Sequence, residues 1–413
     1  MNPELAGVSW VRLTFVDVLG MSNSVQIPAD RFEEAVANGE PFDGSALQGP
    51  SRALESDMRL QPDPSTLRHV GSVARVACTV HTPDGRPWPA DPRTALVALV
   101  AGPLAELASV WEATAELEFY LLAADGEPVD RAGYFDDAEG PGMAVARAAA
   151  DGLAQYGIDV VSCHHEAGPG QFELDLAALA PLALADALVV AKQTVREVAA
   201  QRDLRATFMA RPFNHRPGSG LHLNQLVEGL TAEGTLTEDG RSFVAGLLAH
   251  ARALAALASP TVNSYKRLHS GPEAPGAAVW AHVNRAALVR IGGEATASPG
   301  IEYRGADPSA NPYLLVAGLL AAGADGMSNG LELGPPVEEA AGMFDPAEST
   351  EVRYEPLPRS LDEALDALMA DDVLADAFDG RLRGHLVDAR RAEAEAYRSY
   401  VSRWEWERYL DEA

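Results

Sequence analysis

Apolar and polar residues alternate in Trp10-Val-Arg-Leu-Thr-Phe-Val-Asp17 and in Val73-Ala-Arg-Val-Ala-Cys-Thr-Val80, and this pattern predicts strands. Pro83-Asp-Gly-Arg-Pro-Trp-Pro89 is rich in turn formers and closes this strand-rich region. Asp91 followed by Pro92 has the form of an N-cap with proline at the first helical position, and Gly102-Pro103 should end the helix it starts. A domain boundary near residue 90 follows, dividing the chain into 1–90 and 91–413. Beyond it, strands at Ala113 to Leu122, Gln171 to Leu176 and Ile301 to Arg304 alternate with long alanine- and leucine-rich helices, among them Leu182 to Ala200 and Phe243 to Leu257. Ser360-Leu-Asp-Glu363 reads as a capping-box start, and Asp388 to Leu410 as a charged, exposed helix. The fold class is α+β, a small strand-rich N-terminal domain followed by a larger catalytic-sized one.

Composition narrows the functions open to such a chain. Its 413 residues carry Lys+Arg 32 against Asp+Glu 60, a net charge of −28. The field repels nucleic-acid phosphate and anionic membranes, so neither is an expected partner. Mean hydropathy is −0.08, with 47% hydrophobic residues, enough for an enzyme-sized core. Cys78 and Cys163 are the only cysteines and form no CxxC pair, so a disulfide framework and a zinc site are not signalled, and a reducing, cytoplasmic location is expected. The start lacks the basic and apolar regions of a secretion signal, and stretches such as Asn311 to Met327 are too short or interrupted for a bilayer span.

The candidate chemistry lies in the strands. Glu116 and Glu118 are two apart, so a strand presents both carboxylates on one face, an arrangement that costs energy unless a cation fills the gap. A solvated strand face would also tolerate such a pair, but Leu117, Phe119, Leu121 and Leu122 argue that both faces are buried. His164-His165-Glu166 and Glu173 flank a glycine-bearing turn, Gly218-Ser-Gly-Leu-His222 brings a glycine turn into a strand, and Glu302 and Arg304 share a strand face. Taken singly, His222 reads as well as a core histidine. Together, five carboxylates and one imidazole at strand positions form an oxygen-rich set suited to Mg²⁺ or Mn²⁺. Arg267, Arg285, Arg290 and Arg304 are candidate anion clamps in an otherwise acidic chain, with surface ion pairing as the plain alternative. Metals with several arginines point to phosphoryl chemistry, and the absence of GxxxxGK[ST] excludes a P-loop.

At these residues the sequence resembles the glutamine synthetase family. The matching segments run in order along nearly the whole chain: Phe42-Asp-Gly-Ser45 with Glu55-Ser-Asp57, Glu116-Leu-Glu118-Phe119, His164-His-Glu166 through Gln171 and Glu173, Thr207-Phe-Met209, Gly218-Ser-Gly220 with His222, Asn263-Ser-Tyr-Lys-Arg-Leu268, Glu273-Ala-Pro275, Asn284-Arg285, Ile301-Glu-Tyr-Arg304 with Asp307, and Asn311-Pro-Tyr313. The C-terminal Trp404-Glu-Trp-Glu-Arg-Tyr409 is similar to the family's ending. The resemblance implies a β-grasp-like N-terminal domain and a catalytic domain whose curved antiparallel sheet, flanked by helices, forms a funnel entered by ATP at one mouth and by the amino acid at the other. It further implies a cytoplasmic homo-oligomer, a double-ringed dodecamer with active sites shared between subunits. The implied reaction uses ATP as co-substrate and two or three Mg²⁺ or Mn²⁺ ions per site: a glutamate γ-carboxylate is phosphorylated, and an amine displaces the phosphate.

By position, the resemblance gives Glu118, Glu166 and Glu173 to one metal and Glu116, His222 and Glu302 to the other. It gives Arg267, Arg304 and Gly218 to the amino acid, Arg285 and Arg290 to the transferred phosphoryl group, and Asn224 to the nucleotide side. Asp43, acting across a subunit interface, Tyr134 and Glu166 correspond to the ammonium pocket, and Glu273 to the flap that closes it.

Several positions depart from the family pattern. Pro217 stands where an Asn is usual and Ala46 where a Ser is usual. The second His and the Ser of a His-x-His-x-Ser pattern are Asn224 and Leu226, and a Lys and an Arg before the Ile-Glu-x-Arg strand are Ala297 and Gly300. No match to the family's regulatory tyrosine segment is found around Gly334 to Glu348. The apolar Ala46 and the altered turn at Pro217 favour an amine other than ammonia as acceptor. An authentic glutamine synthetase is the second reading, and a catalytically silent ring-forming scaffold or sensor, suggested by the lost nucleotide contacts, is the third.

Overall fold

The computed structural model describes residues 5–46, 57–70, 72–137, 139–232, 234–269, 271, 273–292, 300–339 and 354–412. Glu55, Ala297, the side chain of Ala46 and the stretch from 340 to 348 lie outside the described residues.

The alternating segments near the N-terminus form strands Trp10–Val16 and Val73–His81, which pair in parallel at the middle of a six-stranded sheet. Ser22–Pro28 flanks the first strand, and Asp57–Pro62 and then Glu40–Asp43 extend the other side. Val11, Leu13, Ile27, Phe32, Leu60 and Val76 fill a core of their own beneath this sheet. After His81 the chain turns, and Pro92–Ala101 begins as a helix because Asp91 accepts the Thr94 backbone N–H at 2.8 Å and Pro92 needs no N–H partner there.

An eight-stranded sheet organises the rest. Its order across the sheet is Trp280–Ala281, Val289–Gly292, Gly300–Tyr303, Leu221–Val227, Trp111–Leu122, Gln171–Leu179 and Val160–His165, with Arg205–Thr207 also paired to Trp111–Leu122. All pairs are antiparallel except the edge pair of Trp280–Ala281 with Val289–Gly292. One face presents Leu117, Leu174, Leu176 and Leu223 to the large core, which it shares with the helices Pro181–Ala200 and Pro312–Asn329. The other face carries the chemistry.

Two helices differ from the sequence reading. The Phe243 to Leu257 helix is divided into Glu238–Ala249 and Ala251–Ala258 at His250, whose ring bonds Asp371 at 2.7 Å and Asp325 at 3.1 Å. The Asp388 to Leu410 helix is divided into Gly380–Ser399 and Arg403–Tyr409, because Ser402 and Glu405 form a capping box that starts the second piece. At Ser360 the hydroxyl does accept the Glu363 N–H, but Glu363 bonds the N–H of Arg359 instead of closing the box. Both cysteines are free thiols. Among the described residues no helix is long and apolar enough to cross a membrane.

Candidate active site

Strand register brings the polar residues into a row across the polar face. Glu302 pairs with both Arg290 and Asn224, Glu116 with both His222 and Asp175, and Glu118 with Glu173, which pairs in turn with His164. The row exists because a pleated strand sends alternate residues to opposite faces, and Glu116, Glu118, Glu173, His222, Arg290 and Glu302 each stand between two apolar residues.

Two groups of potential ligand atoms converge within the row. Glu116, His222 and Glu302 bring oxygens and a ring nitrogen within 4.8 Å of one another, as do His164, Glu173 and Asp175. His222 Nδ1 is 3.0 Å from Glu116 and 3.6 Å from Glu302. Glu118 accepts from the Gln171 side-chain amide and the Gly220 N–H, both at 2.9 Å. Gly220 has to be glycine, since a Cβ there would lie 2.6 Å from His222 Nε2 and 3.0 Å from Glu118 Oε1. Gly300, at φ +108°, leaves room for no side chain either, because a Cβ would meet the Gln225 carbonyl at 2.7 Å. Glycine there is a backbone requirement of this chain.

The electrostatics are those of crowded carboxylates. Burial, then the charge of Glu118, push the Glu166 carboxyl up to about 8 and that of Glu173 up to about 12. Protonation is one remedy for such crowding and a bound cation is the other. The donor set, buried carboxylate oxygens with one imidazole, is chemically suited to hard divalent ions. It therefore suits the Mg²⁺ or Mn²⁺ expected from the sequence; the structure brings Glu116, His222 and Glu302 together, but it groups Glu173 with His164 and Asp175 instead of with Glu118 and Glu166. Asp175 was not anticipated, although it follows Glu173 at the same two-residue spacing that singled out Glu116 and Glu118.

The arginines divide into two groups. Arg290 approaches Glu302 at 2.6 Å, and Arg304 bonds the same carboxylate, so both are tied to one cluster. Arg267 is 8% exposed and donates to the Arg304 carbonyl at 3.2 Å, while its Nη1 has no hydrogen-bond partner. Arg285 is at the surface, 3.5 Å from exposed Glu273. Asn224, expected on the nucleotide side, donates to Glu116 at 3.0 Å, with its Oδ1 unpartnered. The Gly218 carbonyl accepts from Gln171 at 3.1 Å, and the Pro217 carbonyl accepts from Tyr120 at 2.8 Å, so the altered turn is anchored through backbone oxygens.

Tyr134 is half exposed, with its ring centroid 4.0 Å from that of Phe135, and Phe135 lies edge-on to His164 at 4.9 Å. Burial and the nearby Glu166 charge raise the Tyr134 hydroxyl. Phe135 has φ 57°, a strained conformation for a bulky residue, and sequence reasoning missed it. Asp43 lies apart from this group, on the Glu40–Asp43 edge strand of the N-terminal sheet, fully exposed, with its carboxylate accepting the Ser45 N–H at 2.9 Å.

A polar sheet face with two clusters of potential ligand atoms, and with Arg290 and Arg304 on one of them, is the kind of site an enzyme builds. The descriptions "Glutamine synthetase, beta-Grasp domain" and "Glutamine synthetase, catalytic domain" match residues 7–83 and 89–409. The glutamine synthetases of Mycobacterium bovis and Thermus thermophilus are 40% and 36% identical to the chain, each over 98% of it and 97% and 96% of their own lengths. A solved GmaS/ADP complex superposes with a TM-score of 0.86 at 31% identity, covering 100% of both chains, and a GmaS structure without ligand gives 0.85 at 31%. The chain belongs to the glutamine synthetase family, and it is an ATP-dependent carbon–nitrogen ligase with a β-grasp N-terminal domain.

Proposed function

We propose that the chain joins the γ-carboxylate of glutamate to an organic amine, through an acyl phosphate formed at the expense of ATP. The observation that carries the choice of amine is the Tyr134–Phe135 pair against His164, close to the Glu166 carboxylate. Aromatic faces attract an alkylammonium ion and shelter its carbon, whereas ammonium gains nothing from that shelter. The likeness to GmaS structures over the whole chain supports the same reading. The 40% identity to glutamine synthetases favours ammonia as the second reading.

In this account Glu116, His222 and Glu302 hold one divalent ion and Glu118, Glu166 and Glu173 another; bound ions of this kind neutralise charge on a transferring phosphoryl group. The unpartnered Nη1 of Arg267 is a buried donor aimed at no protein group, and it receives the amino-acid carboxylate together with Arg304. Arg285 and Arg290 face the phosphoryl group. Glu166, the carboxylate whose charge reaches Tyr134, accepts in its ionised form the proton released when the amine attacks. Glu273 and Arg285 close the entrance. Asp43 serves a neighbouring copy's site in a ring assembly, a role supported by its exposure on an edge strand.

The test is phosphate release with ATP, glutamate and a panel of amines. Faster turnover with a small alkylamine than with ammonia is expected, and turnover with ammonia alone overturns the choice of amine.

A further inference from the structure

A cavity of about 600 Å³ lies where the N-terminal sheet meets the helices of the catalytic part, and none of the residues discussed for the active site lines it. The catalytic part supplies an apolar wall that includes Val100, Ala108, Leu182 and Val190 from helices and Ile158 from a loop. The N-terminal sheet contributes Thr14 and Arg75, each 6% exposed. Thr14 Oγ1 and Arg75 Nη1 have no hydrogen-bond partner. An unsatisfied buried donor is costly, and here two of them belong to side chains on the wall of one cavity.

The charge around them is not balanced within the wall. Its two carboxylates, Asp63 and Asp186, both bind Arg93, at 2.8 and 2.9 Å. Arg75 has only a 3.4 Å contact with Glu197, a carboxylate that Arg12 holds more closely at 2.8 Å, and its guanidinium rests 5.1 Å from the centre of the Tyr156 ring. Arg68 adds a third guanidinium to the wall and donates to the carbonyls of Ser65 and Leu67. The lining therefore combines cationic, hydrogen-bonding groups with apolar ones around a space large enough for a small organic molecule.

We propose that this cavity binds a small organic monocarboxylate, whose carboxylate is taken by Arg75 and Thr14 and whose apolar part lies against the helices. The ligand touches both structural units, so binding tightens their junction from outside the active site.

Thermal unfolding of the full chain with hexanoate, benzoate and the matching amides tests this, since a ligand selective for the folded state raises Tm with concentration. Both carboxylates are expected to raise Tm and the amides to leave it unchanged. Arg75→Gln should weaken the effect at least about tenfold, as expected for loss of a charge-assisted pair. Ala108→Trp, which fills the cavity from the helix side, should abolish the effect while ATP-dependent phosphate release persists, and it carries the test if Arg75→Gln does not fold. Equal shifts from the amides, an undiminished shift in Ala108→Trp, no shift from either carboxylate, or loss of the shift when ATP and glutamate are added would overturn the proposal.

Discussion

Glu118 and Glu173 lie directly opposite one another on neighbouring antiparallel strands, and the charge of Glu118 is second only to burial in raising the Glu173 carboxyl. Like charges so paired destabilise a sheet unless a proton or a cation intervenes. The first prediction follows. Folded Glu166 and Glu173 hold protons more tightly than the ordinary value of 4.5, so the metal-free folded state binds more protons than the unfolded one above that pH. In chelator, Tm should fall as pH rises from 4.5 through about 8, where Glu166 ionises. Mg²⁺ should flatten that slope, as should Glu173→Gln, and the same variant should lower activity at least about a hundredfold. A Tm in chelator that is level or rising over this window contradicts the account.

His250 makes a second, separate pH dependence. Its bond to Asp371, joined by Asp325, raises the ring above its ordinary 6.5. A raised histidine contributes stability that is complete below 6.5 and is lost as pH climbs through the folded value. His250→Ala should cost about 1–3 kcal/mol at pH 6 and less at pH 9, measured by urea unfolding. An equal cost at both values would remove the ion-pair explanation.

Arg267 keeps one guanidinium nitrogen unpartnered inside the protein. Arg267→Lys removes the planar fork while keeping the charge, and the KM for glutamate should rise by about ten- to a hundredfold with the KM for ATP little changed. A comparable rise for both substrates would mean the site as a whole had been disturbed.

Phe135 is held at φ 57° with its ring against His164. Phe135→Gly relaxes the backbone and removes the ring, so thermal stability should hold or improve while the KM for an alkylamine rises about two- to thirtyfold, the range of cation–π energies. The KM for ammonia should change less. Equal changes for the two acceptors would separate the aromatic pair from amine selection.

The C-terminal segment exposes Tyr400 at 68%, Trp404 at 65% and Trp406 at 59%, more aromatic surface than a lone monomer usually shows. If this surface joins copies of the chain in the proposed ring, deleting the chain from Tyr400 onward should lower the mass seen by light scattering. An unchanged mass would show that the segment joins no copies.

Much of this arrangement was legible in the chain, because strand alternation is local. Glu116 and Glu118 could be read as facing one way from two-residue spacing alone, and Asp91-Pro92 marked its helix by backbone chemistry that needs no tertiary partner. The helix break at His250 was not legible: the apolar period runs through it, and the cause is a pair of aspartates 75 and 121 residues away. Arg304 could be read as sharing a strand face with Glu302, whereas the approach of Arg290 to the same carboxylate depends on register between strands. Phe135 carried no signal, since a single phenylalanine in a loop reads as ordinary until its backbone angle is known. Asp175 was readable and was passed over.

The most direct test of the central claim is the ratio of kcat/KM for a small alkylamine to that for ammonia, measured by phosphate release with ATP, glutamate and Mg²⁺. The account predicts a ratio well above one that falls toward one in Phe135→Gly. A ratio below one in the natural chain, with efficient glutamine formation from ammonia, would contradict it.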